Sequence, residues 1–462
     1  MSAPSRLHTA GSSESAALRL ADFGALAPPP FNTTIRISQA VTWFDERLLV
    51  GGGRGPIRGA GQPDRALGAQ IASWDPGRDS WDLVYDSPVD GQGNARDRSI
   101  RAFAIHQPPG ASAPVLYAAA GAMTGQMVLL QSGDGRRFIP CGAPALGQGD
   151  ADIAAIRSLV ALGGRLFTSP VGKNRGRGWA DDNVADRPVV LASADPALGW
   201  EEVSAPGFGD PDNESINELA VLGDRLYAAT LNRRAGFQLW KSAPGGAGPW
   251  TCVLDRGAGR GIANPVPAAV QVFGGALYIG TGVQRQPDDS TDRFGPIAAE
   301  LIRVWPDDSW DLVAGQTRLS AGGLRRPVSA RGPGFDDPFV QTFWRTAVHE
   351  GRLYVGGSDW RFWPTYLGRP GRPRDDLSPV TAAWLRAETD GWRGEYGLWC
   401  STDGQDWQVV TDTGLTGNPA QYGLRELISI PQGLIAIPAA RAGGAGAGVE
   451  VLLGRSAAGA TP

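Results

Sequence analysis

The chain has 462 residues, of which 42% are hydrophobic and 65 are glycine, and its formal net charge is -4. Because the chain is acidic and its cations are almost all arginines, the composition excludes a nucleic-acid reader and a protein held on an anionic membrane surface. No apolar run reaches the roughly 18 residues that a membrane helix needs. The N-terminus also lacks a basic-then-apolar signal peptide. We therefore predict a cytoplasmic protein.

A short phrase, two apolar strands joined by a tight turn, recurs seven times along the chain. The second strand of the phrase reads, in chain order, RLLVGGG at 47–53, VLYAAAG at 115–121, RLFTSPV at 165–171, RLYAATL at 225–231, ALYIGTG at 276–282, RLYVGGS at 352–358 and GLIAIPA at 433–439. After most copies a further hairpin closes on an aromatic residue, as at 398–410. Such a recurring unit predicts an all-β fold, a seven-bladed β-propeller of four-stranded antiparallel blades that forms one domain over residues 1–462.

The seventh unit is one strand short. After the apolar residues 448–454 only residues 455–462 remain, and they are too few and too polar to supply another strand. An apolar stretch at about 16–24 precedes the first unit. We expect this N-terminal stretch to pair with the last blade, because that pairing would close the ring and cover two open strand edges.

The longest insertion, at about 358–395, alternates aromatic and arginine side chains. It contains a short predicted helix with Ser378 as N-cap and Pro379 as the first helical residue. Long loops of this propeller fall on one face, and loops on a rigid scaffold usually carry binding sites. Trp360 and Trp363 are candidate ligand contacts, since aromatic rings beside arginines stack on sugars and aromatic metabolites. The alternative is that the insertion packs on itself.

Polar residues share one register of the first strands, counted back from the turn that ends each strand. That register holds Arg101, Arg157, Asn217, Trp344, Arg425 and Gln39, and the next position holds Glu218, Arg345 and Glu426. Several guanidiniums at the inner rim of a propeller favour a carboxylate or a phosphate, which arginine binds with two hydrogen bonds. The glutamates offer either partners for these arginines or acid–base groups. The alternative is that each arginine pairs with the adjacent loop.

We expect neither a metal ion nor a cofactor. The three cysteines lie in predicted strands and indicate buried free thiols, and the three histidines have no ligand spacing. Asp210, Asp212 and Asn213 share a loop that could hold calcium, but solvated turn carboxylates are the favoured interpretation.

The hairpin CSTDGQDW at 400–407 is similar to the Asp-box, Ser-x-Asp-x-Gly-x-x-Trp, shortened by one residue. QSGDGRRF at 131–138 and ASADPALGW at 192–200 are weaker copies, so the chain resembles the sialidase-like, Asp-box β-propeller superfamily. In that superfamily the boxes are structural hairpins. Residues 34–55 also resemble the Arg-Ile-Pro opening of sialidases, with Ser38 in place of the proline.

The resemblance implies two further site assignments. Arg36 would be the first arginine of a triad that binds a carboxylate. A tyrosine–glutamate pair would be formed here by Tyr422 with Glu426 or Glu218.

These patterns lead to one functional prediction and one alternative. We predict an axial pocket on the long-loop face that binds a small anionic or glycan-like molecule and acts on it as a hydrolase or a lyase. Arg101, Arg157, Arg345 and Arg425 would hold the anion, and Glu218 and Glu426 would transfer protons. The alternative is a scaffold without catalytic activity that binds a protein partner through the same face.

Overall fold

A computed structural model describes most of the chain. The described residues are 16–54, 65–123, 127–142, 146, 153–172, 183–283, 295–320, 322–369, 371–440 and 448–456. Both ends of the predicted domain, residues 1 and 462, therefore lie outside the described residues. The described chain is all-β, and its strands form seven successive four-stranded antiparallel units. No described helix is both long and apolar enough to cross a bilayer.

The strands follow one another in a regular order along the chain. The N-terminal strand and units one to four comprise β1 (Phe23–Ala25); β2 (Ile35–Phe44), β3 (Arg47–Arg54), β4 (Gln70–Asp75), β5 (Ser80–Asp86); β6 (Asp97–His106), β7 (Val115–Ala122), β8 (Val128–Ser132), β9 (Ile139–Pro140); β10 (Ala155–Leu162), β11 (Arg165–Val171), β12 (Leu191–Ser193), β13 (Glu201–Glu202); and β14 (Ser215–Leu222), β15 (Arg225–Leu231), β16 (Leu239–Pro244), β17 (Thr251–Leu254).

Units five to seven carry additional elements between their strands. They comprise α1 (Arg256–Gly259); β18 (Val266–Phe273), β19 (Ala276–Gly282), β20 (Leu301–Val304), β21 (Trp310–Ala314); the hairpin β22 (Arg318–Ser320) and β23 (Gly323–Arg325); β24 (Val340–His349), β25 (Arg352–Asp359), β26 (Gly368–Arg369), β27 (Arg372–Pro373), α2 (Pro379–Gly391), β28 (Leu398–Ser401), β29 (Gln408–Thr411); and β30 (Gln421–Ile430), β31 (Gly433–Ala440), β32 (Leu452–Gly454). Short 3-10 turns occur at Leu20–Asp22, Pro206–Gly209, Gly261–Ala263, Pro333–Asp336, Trp360–Phe362 and Pro364–Leu367.

Hydrophobic clusters lie between consecutive units. The second strands are buried on both faces, as the unbroken burial of β3 and β31 shows, because each is packed between two neighbouring units. One cluster joins each consecutive pair of units, and a further cluster joins unit seven to unit one through Ile435, Leu453, Ile35 and Leu48. The first strands also contact one another in cyclic order, with β30 of unit seven beside β2 of unit one.

Among the described residues, β-ladder pairing bridges three junctions between units, so the units are not seven separate sheets. Single backbone hydrogen bonds also cross other junctions, as from the Ala122 amide to the Ala154 carbonyl at 2.8 Å. Unit one pairs with unit two, unit five with unit six, and unit six with unit seven, each at a single residue pair. These junctions are the ones at which the fifth residue of the repeated phrase is glycine, namely Gly51, Gly280 and Gly356. A β-carbon on Gly51 would lie 2.7 Å from the Ile100 side chain, and the other two glycines are as tightly faced. The missing side chain therefore lets the next unit approach closely.

The N-terminal stretch pairs with the last strand of unit seven, as the sequence predicted. The paired residues are Phe23 to Ala25, opposite Gly454 to Leu452. The strand is therefore shorter than residues 16–24 and lies at the C-terminal end of that stretch. Leu18 does not pair, but it is buried in the cluster between units six and seven. Cys252, which the sequence placed among buried thiols, is exposed on the fourth strand of unit four.

The insertion after β25 packs against units five and six. Helix α2 begins at Pro379, and the Ser378 hydroxyl accepts a hydrogen bond from the Thr381 amide, as the sequence predicted. Trp360 is buried with Leu385 of α2, and its indole N–H donates to the Ile297 carbonyl at 2.8 Å. Trp360 therefore occupies a packing position rather than an open one.

Candidate functional site

The first strand of every unit departs from regular pairing at the same position, where an extra residue forms a β-bulge. The bulge residues are Gln39, Arg101, Asn217, Ala268, Trp344 and Arg425, and in unit three the irregular stretch is Arg157 and Ser158. Each bulge lies five residues before its strand ends, as Gln39 does before Phe44. A bulge re-aims the side chain of the extra residue. The register predicted from the sequence is therefore a register of bulges.

Four units carry a second bulge three residues earlier. These are units one, two, six and seven, whose first strands have ten residues. The second bulge residues are Arg36, Arg98, Gln341 and Tyr422. Arg36 and Tyr422, which are both partly exposed, thus occupy equivalent positions in two units whose first strands touch.

Five ionisable side chains at or beside the bulges interact electrostatically, and we call them the charged cluster: Arg157, Glu218, Arg345, Arg425 and Glu426. Glu426 accepts a hydrogen bond from Arg345 Nε at 3.2 Å, and its second oxygen lies 3.4 Å from Arg425 Nη1. Glu218 interacts electrostatically with all three arginines. It makes no hydrogen bond or ion pair with any residue that the structure describes. The cluster thus holds three guanidiniums against two carboxylates, and one of those carboxylates has no direct partner.

The protein around this cluster shifts the protonation of its members. Burial raises the pKa of the Glu218 carboxyl, because it disfavours the charge more strongly than Arg345, Arg157 and Arg425 favour it. Burial lowers the pKa of Arg157, and it lowers the pKa of Arg425 to about 9, so Arg425 stays charged at neutral pH. Although burial opposes it, Glu426 and Glu218 raise the pKa of Arg345.

Arg101 belongs to the same region through a shared acceptor. The Asn183 side-chain oxygen accepts hydrogen bonds from Arg157 Nη1 at 2.6 Å and from Arg101 Nη2 at 3.3 Å. Asn183 lies in the long connection between β11 and β12, and sequence reasoning did not select it. No periodicity marks that loop, so its position could not be read from the repeat. The alternative that each arginine pairs with an adjacent loop therefore holds in part for these two.

An aromatic ladder runs from the insertion to the charged cluster. Trp363 meets Phe362 edge to face at 4.3 Å, and Phe362 stacks on Tyr422 with 3.9 Å between ring centroids. Tyr422 faces Trp344 at 5.7 Å, and the Arg425 guanidinium lies 5.0 Å from the Trp344 ring centre. Burial raises the pKa of the Tyr422 hydroxyl to about 12, so this group is a neutral hydroxyl at physiological pH.

Several buried polar atoms at or beside the bulges have no hydrogen-bond partner among the described residues. They are the donors Arg157 Nε and Arg425 Nη1 and the acceptors Gln39 Oε1, Asn217 Oδ1 and Glu426 Oε1. Of these, Arg425 Nη1 and Glu426 Oε1 lie 3.4 Å apart as an ion pair. Asn217 is oriented by its amide nitrogen, which donates to the Pro267 carbonyl at 2.6 Å. Buried polar atoms are nearly always satisfied in folded proteins, so such a group of orphans indicates a place for a ligand or ordered water. Sequence reasoning placed Gln39 in the shared register but assigned it no role at the site, although the register alone would have justified one.

A separate cavity of about 470 Å³ lies between units three and four and contains none of the predicted site residues. Its polar lining comprises Asp186, Asp210, Asn213, Glu214 and Arg233. Most of these groups already make contacts within the protein, as the ion pair of Arg233 with Glu214 shows. Asp212 pairs with Arg234, and the loop predicted as a turn holds no group of metal ligands, nor does any other described part of the chain.

We expect the Glu218→Gln variant to be at least as stable as the wild type at neutral pH, with an advantage that grows as the pH rises. A carboxyl whose pKa is raised in the folded state costs stability once the pH exceeds its ordinary value of 4.5. That cost increases until the pH passes the folded-state pKa, and glutamine does not incur it. Thermal melts of both proteins across a pH series would measure the difference.

Glu46→Gln, at an exposed turn, is the matched control and should follow the wild type at every pH. A constant difference between the Glu218→Gln and wild-type melting temperatures would contradict the raised pKa.

No protein-family model matches the chain, and no curated protein matches it in sequence. Two solved structures align with most of this chain at low sequence identity. The GH74 xyloglucanase from Xanthomonas campestris is 16% identical with a TM-score of 0.47, and the alignment covers 92% of this chain and 55% of that one. A prolyl endopeptidase is 11% identical with a TM-score of 0.41, and the alignment covers 88% of this chain and 47% of that one. This chain thus spans about half the length of either protein.

Proposed function

We propose that the protein is a cytoplasmic, single-domain, seven-bladed β-propeller. The cyclic contacts of the first strands, the cluster between every consecutive pair of units and the pairing of β1 with β32 support this arrangement. In the hairpins at 131–138 and 400–407, the Asp134 and Asp403 carboxylates accept the same set of backbone hydrogen bonds. This shared geometry supports kinship with the sialidase-like Asp-box superfamily.

The charged cluster would then form the centre of an axial pocket that binds a small anionic or glycan-like molecule. The observation that carries this proposal is the excess of three guanidiniums over two carboxylates. Among the described residues, Arg157 Nε has no hydrogen-bond partner, and Arg425 Nη1 has only its 3.4 Å ion pair with Glu426. An anion would satisfy both donors and balance the charge. Arginine binds carboxylate and phosphate alike through bidentate hydrogen bonds. Arg101 and Arg36 would extend the anion site around the ring.

The two glutamates would allow the pocket to act on its ligand as a hydrolase or a lyase. Glu218 has a raised pKa and no direct partner among the described residues, so it is suited to donate a proton to a leaving group. Glu426 is paired with Arg345 and Arg425, so it would take the role of the base. Carboxyls in such different environments are typical of an acid and a base that work together. The Tyr422 hydroxyl, on the neighbouring bulge, would orient the ligand.

Calorimetric titration of the full chain tests the pocket directly. We expect saturable binding of acetate and inorganic phosphate that weakens as sodium chloride is raised, because salt screens the guanidiniums. Tetramethylammonium chloride, a small cation salt, is the control and should produce no saturable heat. The absence of saturable binding by any carboxylate, phosphate or sugar would overturn the proposal.

A protein-interaction scaffold is the second candidate, and exposed apolar side chains on α2 favour it. Val380 is 79% exposed and Trp384 is 46% exposed. They stand one helical turn apart and form an outward apolar strip on the insertion. A stoichiometric partner that binds the wild type, and that is lost in the Val380→Ser/Trp384→Ser variant but not in Leu198→Ser, would decide for the scaffold.

A further inference from the structure

The hairpin of β22 and β23 turns its apolar side chains to solvent and its charged ones to the protein. Leu319 and Leu324 lie directly opposite each other on the two strands, so their side chains share one face, and they are 78% and 56% exposed. Arg318 and Arg325 form the next pair, on the opposite face. Surface hairpins ordinarily have the reverse arrangement, with apolar residues inward. The two leucines therefore form an apolar patch, which we call the leucine patch.

The arginine face anchors the hairpin to the rest of the protein. Arg318 donates to the buried Glu300 carboxylate at 2.8 Å and to the Ala258 carbonyl at 2.9 Å. Arg325 donates to the Trp310 carbonyl at 3.0 Å, and its guanidinium lies 4.7 Å from the Trp310 ring centre. The hairpin is therefore held in place before any partner binds, so docking on it would cost little conformational entropy.

The fold itself makes no use of the two leucines. Neither belongs to a hydrophobic cluster of the described chain. The chain after the hairpin protects the outer edge of β21, where the Val328 and Ser329 amides donate to the Leu312 and Val313 carbonyls at 2.8 and 3.1 Å. Single exposed apolar residues are ordinary, whereas apolar side chains grouped into a patch are typical of contact surfaces.

The charge around the leucine patch determines which kind of partner it fits. Residues 312–335 contain four arginines and no carboxylate. Arg318 and Arg331 are ion-paired with carboxylates from outside this stretch. Arg325 and Arg326 make no ion pair with any described residue, and Arg326 is exposed. Uncompensated positive charge beside an apolar patch is complementary to a surface that presents carboxylates beside apolar side chains.

We propose that the leucine patch docks a partner protein through an acidic segment that also carries apolar side chains. The apolar side chains would cover Leu319 and Leu324, and the carboxylates would pair with Arg326 and Arg325. A protein segment is favoured over an anionic bilayer, because the chain as a whole has a net charge of -4 and such a bilayer would repel it. None of these residues belongs to the charged cluster or to α2, so the inference is independent of both proposed functions.

The test is fluorescence anisotropy of short labelled peptides titrated with the full chain. The first peptide alternates glutamate with leucine, and two matched peptides have lysine in place of glutamate or serine in place of leucine. We expect the glutamate–leucine peptide to bind with a Kd below about 100 μM, and the other two to bind at least about tenfold more weakly, because each lacks one of the two complementary features. Absence of binding by the first peptide, or equal binding of all three, would overturn the inference.

Paired variants locate the binding on the hairpin. Leu319→Ser with Leu324→Ser should weaken binding of the glutamate–leucine peptide at least about tenfold, because its apolar contact is lost. Leu198→Ser with Val409→Ser makes a matched change at side chains that are 86% and 56% exposed elsewhere, and should alter the affinity less than about twofold. All four positions are exposed, so melts should show that both variants fold. Unchanged affinity in the Leu319/Leu324 variant would contradict docking at the leucine patch.

Two further measurements detect other occupants of the leucine patch. The first is cosedimentation of the chain with vesicles of phosphatidylcholine and phosphatidylserine, and the second is analytical ultracentrifugation of the chain alone. We expect a chain that stays in solution in the first and a monomer in the second. Vesicle binding or self-association that the Leu319/Leu324 variant abolishes would assign the patch to a membrane or to a second copy, and either result would overturn the proposed partner.

Discussion

A chain that begins at Ala27 should melt at least about 5 °C below one that begins at Ala16, because it loses the strand that completes unit seven. Residues Phe23 to Ala25 pair with Leu452 to Gly454, so their removal leaves the outer edge of β32 open. The Trp81 indole N–H of unit one also donates to the Ala27 carbonyl, directly after this segment. Differential scanning calorimetry of the two chains would measure the change.

The buried side chain of Leu18 should account for much of this loss. Leu18 is 2% exposed in the cluster between units six and seven, and its amide donates to the Tyr354 hydroxyl at 3.2 Å. Removing a buried leucine side chain costs about 2–5 kcal/mol in the free energy of unfolding. The loss of the strand pairing and of the Phe23 contacts adds to this cost.

Single substitutions separate burial from chain length. Leu18→Ala should lower the melting temperature by several degrees, whereas Leu20→Ala, at a side chain that is 40% exposed, should lower it by at most about 1 °C. If the chains beginning at Ala16 and at Ala27 melt together, the N-terminal strand does not close the ring.

The repeated phrase predicted the all-β fold and the paired strands of each unit, because each copy contains its own hairpin. The tyrosine or phenylalanine at its third position, as in Tyr117 and Tyr354, is buried between units wherever it occurs. Counting back from each hairpin also located the bulges, since they lie at a fixed distance from the turn. The local sequence therefore predicted both the strands of each unit and the positions of its polar residues along the first strand.

Contacts that depend on distant parts of the chain could not be predicted in this way. The merging of neighbouring sheets depends on Gly51, Gly280 and Gly356, whose effect requires knowing which strand faces them. The Asn183 oxygen that joins Arg101 to Arg157 comes from a loop without periodicity. Trp360, chosen as a ligand contact, is instead covered by α2, and an insertion's own core cannot be recognised from its composition.

Replacing Arg157 and Arg425 together by alanine should weaken the binding of a carboxylate or phosphate by about 100-fold or more. Each charge-assisted hydrogen bond to a buried anion is worth about 1.5–3 kcal/mol. These two residues carry the buried donors of the charged cluster that make no hydrogen bond with a described residue. The substitution also leaves Arg345 alone with Glu218 and Glu426, so the charged cluster becomes net negative when both carboxyls are ionised. An anion would then lose its hydrogen-bond donors and would also be repelled by the negative charge of the cluster. Calorimetric titration with the tightest-binding anion measures the loss.

Two control variants separate local from general effects in this experiment. Arg78→Ala with Arg136→Ala removes the same total charge from exposed turns and should change anion affinity less than about twofold. The Arg157→Lys/Arg425→Lys variant keeps the charge but loses the bidentate hydrogen-bond geometry. Its affinity for the anion should therefore lie between those of the alanine pair and the wild type. The Arg345–Glu426 pair remains in all of these proteins, and melts would establish that each one folds. Anion affinity that is unchanged in the alanine pair would remove the charged cluster as the binding site.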